Sequence, residues 1–268
     1  MQNKKTILLT GATDGIGKQT AFMLAERQDI ILIHGKRQNQ GNKIKNEIIK
    51  KTQNKNVFYF NANFTSFEEI KNLSSKIHKQ FSHIDILINN AGIYENKKTI
   101  LDNGIEKTFM VNHLAPFSLT LQLLDLLQES SKIAHIINVS SMIHANNIDF
   151  ENLNGEKYYS GDAAYAMTKL CNILFTNELS QMLKDKKIRV NALHPGVINT
   201  KLLSSGWGRF GSTTIEGAKR ILYLAYSDKI KYVSGKYFVN DKITKSVPLS
   251  DDNTIRKKLW EVSQRAIL

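Results

Sequence analysis

Tyr165 and Lys169 are four residues apart, so a helix over this stretch presents them on one face within mutual reach. An ammonium beside a phenol favours the phenolate and lowers its pKa, which makes a tyrosine usable for proton transfer near neutrality. Tyr94 with Lys98 and Tyr232 with Lys236 share the spacing, but the first pair follows closely on a glycine-containing strand end and Gly235 interrupts the second. Only Tyr165 begins a long amphipathic run, reaching about Lys184, downstream of a strand that ends in Ser140-Ser141. A second chemical element is the stretch TGATDGIG, residues 10–17. Its glycines permit a tight turn and close backbone approach, while the helix that follows offers free N–H groups and a partial positive charge to a phosphate. The spacing is Gly-x-x-x-Gly-x-Gly, not the Gly-x-Gly-x-x-Gly of the familiar dinucleotide fingerprint. Taken alone, three glycines in seven residues are also compatible with an ordinary loop.

The elements that must position these groups alternate along the chain. Short apolar runs at 5–10, 30–33, 56–60, 84–88, 132–139 and 188–193 have the length of buried parallel strands. Helical patterns lie between them at 18–27, 40–51, 66–81, 103–127 (interrupted near Pro116) and 165–184. This order predicts an α/β fold, a single-domain doubly wound parallel sheet (Rossmann-like) with helices on both faces, spanning 1–268. In such a sheet ligands bind at the carboxyl ends of the strands. Six motifs fall there: residues 11–17, 34–37, Asn63, 89–92, Ser140-Ser141 and 194–196.

Composition narrows the function classes. A chain of 268 residues, 41% hydrophobic and 23% charged, is an ordinary globular protein. Its one cysteine, Cys171, lies in an apolar helical run and reads as a small buried hydrophobe in a reducing compartment. The net charge of +13 is scattered over nearly every polar face, which argues against nucleic acid but suits a phosphorylated cofactor. No signal peptide is evident, and no apolar stretch approaches the ~20 residues of a membrane helix, so a cytoplasmic protein without a stable membrane anchor is expected.

The motifs TGATDGIG, NNAG (89–92), NVSS (138–141), YAMTK (165–169) and HPGVINT (194–200), in this order and spacing, resemble the short-chain dehydrogenase/reductase superfamily. VNHLAPF (111–117), a long insert between Ser141 and Tyr165, GKYF (235–238) and KLWE (258–261) make the sequence similar to its retinol dehydrogenase-like group. The resemblance implies a hydride transfer between a nicotinamide and a carbonyl or alcohol carbon of a small, hydrophobic substrate, retinal/retinol-like or another aldehyde or ketone. It makes Tyr165 the general acid/base and Lys169 the ligand of the nicotinamide ribose. Ser141 would polarise the substrate carbonyl, and Asn112 would hold a water of the proton relay. Gly11, Thr13, Asp14, Gly15, Ile16 and Gly17 would form the cofactor loop. Asn90, Ala91 and Gly92 would flank the adenosine side, and Pro195, Gly196 and Val197 with Thr200 the nicotinamide side. No metal is implied, and a homodimer is compatible with the family.

Three departures stand out. Asn63 replaces an aspartate that accepts from the adenine amino group, although its amide oxygen can still accept. Asp14 lies where many NADP-preferring members carry a basic or neutral residue, and an N-terminal membrane anchor of the kind many retinol dehydrogenases carry is not expected. Against Asp14 stands the end of the second strand, His34-Gly35-Lys36-Arg37, with two cations and no carboxylate. Gly35 would leave room for a 2′-phosphate that Lys36 and Arg37 could bind, so NADP(H) is expected over NAD(H), with NAD(H) left open. Within a substrate-side loop at about 198–213, residues 202–211 read either as a mobile lid or as a plain glycine-rich loop, and residues 142–160 are expected to cover part of the site. The rival reading is a catalytically idle nucleotide-sensing or interaction protein on the same fold, which would not require Asn112, Ser141, Tyr165 and Lys169 together.

Overall fold

Strands that are apolar on both faces must be covered on both faces, and this chain meets that demand with one sheet and two helical layers. The computed structural model describes residues 4–267. The strands are β1 (Thr6–Leu9), β2 (Ile30–Gly35), β3 (Val57–Asn61), β4 (Ile86–Asn89), β5 (Ala134–Val139), β6 (Ile188–His194), β7 (Lys236–Val239) and β8 (Lys242–Thr244). Their order across the sheet is β3-β2-β1-β4-β5-β6-β7-β8. The helices are α1 (Gly15–Glu26), α2 (Gln38–Thr52), α3 (Phe67–Gln80), α4 (Lys107–Phe109), α5 (Ala115–Gln122), α6 (Leu124–Gln128), α7 (Gly161–Met182), α8 (Lys201–Gly206), α9 (Thr214–Tyr226) and α10 (Asn253–Ile267).

The two-residue period of a strand sorts the core. Leu8, Leu32, Leu87, Ile136 and Val190 face α3, α5, α7 and α10, while Ile7, Leu9, Ile31, Ile33, Ile86 and Ile88 face α1, α2 and α9. Helix α10 closes the first layer. Its Trp260 ring packs 4.9 Å from Phe117 and 6.1 Å from Phe175, and Arg256 pairs with Glu178 of α7 at 3.2 Å. Cys171 is fully buried, as its apolar neighbours suggested, and burial pushes its thiol pKa up.

Three features depart from the sequence expectation. The sheet is parallel only through β7, because β8 folds back antiparallel to form the far edge. Helix α1 begins inside the glycine stretch, at Gly15, rather than after it. The run expected as one helix over 103–127 is a turn at 103–106, then α4, a π turn (Met110–Leu114), α5 and α6. Pro116 lies in the first turn of α5 and lacks the N–H that a continuous helix would use there. Glu106, expected inside the helix, instead caps α4 by accepting from Phe109 N–H at 2.8 Å.

Candidate active site

The glycine stretch is held from three sides. Gly11 sits at φ +66°, and a Cβ there would come within 2.7 Å of the Ala91 Cα. At Gly17 a Cβ would run into the carbonyl oxygen of Gly11. The Asn90 amide donates to the carbonyls of Thr10 (2.9 Å) and Gly11 (3.2 Å), and Ala91 N–H donates to the Thr10 hydroxyl (3.0 Å). On the other side Gly11 N–H donates to His34 Nδ1 at 3.3 Å, so His34 carries its proton on Nε2 and gives it to Ala62 O at 3.0 Å. Burial pulls the His34 pKa down to about 4, which keeps that arrangement neutral. Bare backbone at the first turn of α1 is what a dinucleotide pyrophosphate needs, so these residues fit such a cofactor.

Around that loop the expected cofactor residues converge on one cleft of about 850 Å³, which Thr13, Ile16, Asn63, Gly92, Pro195, Gly196, Val197 and Thr200 also line. Asp14 caps α1 by accepting from Gly15 N–H at 2.8 Å and takes the ammonium of Lys201 at 2.6 Å. Burial opposes its ionisation, but these bonds together hold its carboxyl below the usual range. Lys36 and Arg37 lie exposed on the same cleft, with no ion-pair partner among the described residues. The Tyr59 hydroxyl fixes their turn through the carbonyls of Gly35 and Arg37, each at 2.9 Å. Gly35 serves a different purpose from the one anticipated: the position of its absent Cβ lies 2.5 Å from Thr13 Cγ2, so the space admits Thr13. The Asn63 amide oxygen accepts from Thr65 N–H at 3.3 Å, within the turn that leads into α3.

Tyr165, Lys169, Ser141 and Asn112 are brought together and buried, at 6%, 4%, 6% and 1% exposure. Ser160 starts α7 by accepting from Ala163 N–H, which places Tyr165 and Lys169 in its first turns. Lys169 Nζ lies 5.3 Å from the Tyr165 ring and donates to Val139 O at 2.9 Å. The expectation that Lys169 lowers the tyrosine pKa is not met in this geometry. Burial pushes Tyr165 up to about 12, opposed by a hydrogen bond with Ser141, and burial alone pulls Lys169 down to about 8. The Ser141 oxygen accepts from Ile143 N–H at 3.0 Å, which leaves its hydroxyl hydrogen to be given away. The side chain of Asn112, in the π turn, accepts from Ile93 N–H (2.8 Å) and donates to Ile93 O (2.9 Å) and the Thr168 hydroxyl (3.2 Å). Both its donors are therefore taken up by the protein.

The open side of the cleft is apolar. Residues 198–213 are neither a plain loop nor featureless: Thr200 caps α8, and Ser212 N–H returns to Val197 O at 2.8 Å. This fold-back brings Leu202, Leu203, Trp207 and Phe210 onto the cleft. Trp207 lies 5.5 Å from the Tyr165 ring and 4.7 Å from Tyr94. Tyr94 is the site residue that the sequence did not single out. It follows NNAG in a loop, where no periodicity marks the direction of a side chain, yet its hydroxyl donates to Asp162 of α7 at 3.0 Å. Of the insert 142–160, Met142 and Ile143 line the cleft. The rest leaves it, burying Ile148 and Leu153 and meeting residues 95 and 106 through Tyr159 and Asn154. Among the described residues no cluster suited to a metal ion occurs, and no helix is long and apolar enough to cross a membrane.

The sequence profile described as short chain dehydrogenase matches residues 5–207. The chain is 37% identical over 280 residues to retinol dehydrogenase 13 of Homo sapiens, covering 98% of this chain and 84% of that one. It is 35% identical over 269 residues to retinol dehydrogenase 12 of Bos taurus, covering 97% and 85%. Among solved structures, an uncharacterised protein from Mycobacterium paratuberculosis superposes with a TM-score of 0.81 at 27% identity, over 98% of this chain and 93% of that one. With the glycine loop, the strand-end motifs and the Tyr165–Lys169 helix in one cleft, the chain belongs to the short-chain dehydrogenase family, as a retinol dehydrogenase-like oxidoreductase acting on CH–OH and C=O groups.

Proposed function

We propose that this chain is an NADP(H)-dependent oxidoreductase for a hydrophobic aldehyde, ketone or the matching alcohol, with Tyr165 as its general acid/base. The observation that carries the reading is the juxtaposition of Ser141 and Tyr165, two buried hydroxyl-bearing side chains that line the same cleft beneath its apolar wall. The nicotinamide, when bound, supplies or accepts the hydride. The Ser141 hydroxyl donates to the substrate oxygen, where negative charge develops in reduction, and Tyr165 delivers the proton to that oxygen. Lys169 is a buried cation beside the phenol, and any turn of its ammonium from Val139 O towards the phenol or a ribose favours phenolate. Asn112 holds the loop after β4 through the Ile93 backbone and so fixes the floor on which Gly92 and Lys169 meet. Lys36 and Arg37, the exposed cations at the end of β2, would bind a 2′-phosphate through charge-assisted hydrogen bonds.

Trp207, Tyr94, Met142, Ile143 and Phe210 exclude water and favour an extended apolar substrate. The similarity to retinol dehydrogenases makes retinal and retinol the first compounds to try. The test is turnover of a panel of aldehydes, ketones and alcohols with NADPH, NADP⁺, NADH and NAD⁺. Selective turnover of apolar carbonyls with NADPH is expected. No turnover of any member with either cofactor pair would defeat the proposal.

A further inference from the structure

Two histidines outside the expected catalytic set grip the peptide group that follows Ser141. The carbonyl of that group, Ser141 O, accepts from His144 Nδ1 at 2.8 Å. Its amide, Met142 N–H, donates to His194 Nδ1 at 3.1 Å. An oxygen can only accept and an amide N–H can only donate, so the two imidazoles must be opposite tautomers. His144 carries its proton on Nδ1, and His194 carries its proton on Nε2. The histidines are not interchangeable: each matches one end of a single peptide dipole.

We propose that His144 and His194 are positioning residues that hold the Ser141–Met142 peptide from both ends and thereby aim the Ser141 hydroxyl. Other contacts leave this work to them. Met142 and Ile143 are 55% and 43% exposed, so their side chains anchor the segment weakly. Yet Ile143 N–H must stay on the Ser141 oxygen at 3.0 Å for the hydroxyl hydrogen to be directed outward as a donor. Rotation of the 141–142 peptide would carry Ile143 N–H away and let the hydroxyl turn.

The sheet makes the clamp rigid. His194 ends β6, whose Leu193 is paired in register with Val139 of β5, the strand that delivers the serines. The His144 ring packs edge-on against Tyr237 of β7 at 5.6 Å, and β7 is the next strand beyond β6. Burial, with His144 and Lys169 nearby, holds the His194 pKa at about 4, so its Nδ1 remains an acceptor at neutral pH.

This inference rests on the role proposed above for Ser141, and the experiment separates the two. The full chain is compared with His194→Leu, His194→Asn, His144→Leu and His144→Asn, each alone and combined with Ser141→Ala. The readouts are kcat with a turned-over carbonyl compound and NADPH binding by fluorescence. Asparagine restores an acceptor oxygen near the place of His194 Nδ1 and a donor amide near that of His144. Each leucine variant should lose about tenfold in kcat, as expected for one lost hydrogen bond to a buried group, with NADPH affinity within about twofold of the parent. Each asparagine variant should recover most of the loss, and no leucine change should slow the Ser141→Ala enzyme further.

Parental kcat in both leucine variants, or the same fold loss with and without Ser141, would overturn the clamp while leaving a slow Ser141→Ala enzyme as support for the serine. Parental kcat in Ser141→Ala would overturn the serine role itself and the clamp with it. If His194→Leu does not fold, the His144 pair decides alone: a slow leucine and a fast asparagine variant support the clamp, and equal rates overturn it.

Discussion

The ammonium of Lys201, in the first turn of α8, stands 2.6 Å from the carboxylate of Asp14, the cap of α1. The residue that opposes a 2′-phosphate on charge therefore has its own counterion, supplied by the segment that walls the substrate side. Removing that counterion should weaken NADPH. The pair is exposed, and such pairs are worth ~1 kcal/mol at most, so Lys201→Ala should raise the KM for NADPH up to about fivefold and leave that for NADH nearly unchanged. Steady-state kinetics with both cofactors at low salt decides this, and equal changes for the two would contradict it.

Lys36→Ala combined with Arg37→Ala should remove most of the preference for NADPH. Charge-assisted hydrogen bonds of ~1.5–3 kcal/mol make a loss of at least about tenfold reasonable. The ratio of kcat/KM for NADPH to that for NADH is the measurement. A double variant as selective as the parent would show that these cations only decorate a solvated turn.

Tyr165→Phe keeps the buried ring and removes the transferable proton. Turnover should fall by about two to four orders of magnitude, while NADPH affinity stays near the parental value. Comparable turnover by the phenylalanine enzyme would exclude Tyr165 as the acid/base.

Tyr94 predicts a contrast between two substitutions. Tyr94→Phe breaks only the bond to Asp162 and keeps the ring between Tyr165 and Trp207. Tyr94→Ala removes the ring and the seat of Trp207. KM for a bulky apolar carbonyl compound should therefore rise about tenfold in the alanine variant and little in the phenylalanine variant, with the change much smaller for a short aldehyde. Equal effects on long and short substrates would place Tyr94 outside the substrate wall.

His34, His113, His135 and His194 share a response to acid. Burial lowers all four from 6.5 to about 4. Below pH 6.5 the unfolded chain takes up protons that the folded chain refuses, so stability falls as pH drops from 6.5 towards 4, and the contribution of these histidines is flat above about 7. Each fully buried histidine adds a slope approaching roughly 1.4 kcal/mol per pH unit within that window. Urea unfolding midpoints at pH 7.5, 6 and 5 test this, and a midpoint unchanged down to pH 5 would contradict it.

Much of the site was legible because its residues sit where strands end, and strand ends are marked by a change from apolar runs to Gly, Asn and Ser. Tyr165 and Lys169 could be read as a pair because helical periodicity fixes their common face. The limits are equally physical. β7 has only four residues and β8 three, too few for a clear pattern, and β8 is exposed throughout. The π turn at Met110–Leu114 shifts the helical period within a run, 108–120, that is buried on every side, polar Asn112 and His113 included, so no phase marks an exposed face. Gly35 was read for the space it leaves, but that space is taken by Thr13 from another strand end, a contact that only the folded chain brings about.

Helix α10 is made after every residue of the site. Until it docks, Phe117 of α5 and Phe175 of α7 lack the Trp260 that covers them, and Glu178 of α7 lacks Arg256. A fragment ending near residue 207, where the family match stops, would contain Asn112, Ser141, Tyr165 and Lys169 and still carry a sticky flank. Between emergence of the last site residue and docking of α10, that apolar flank of the growing chain stays uncovered.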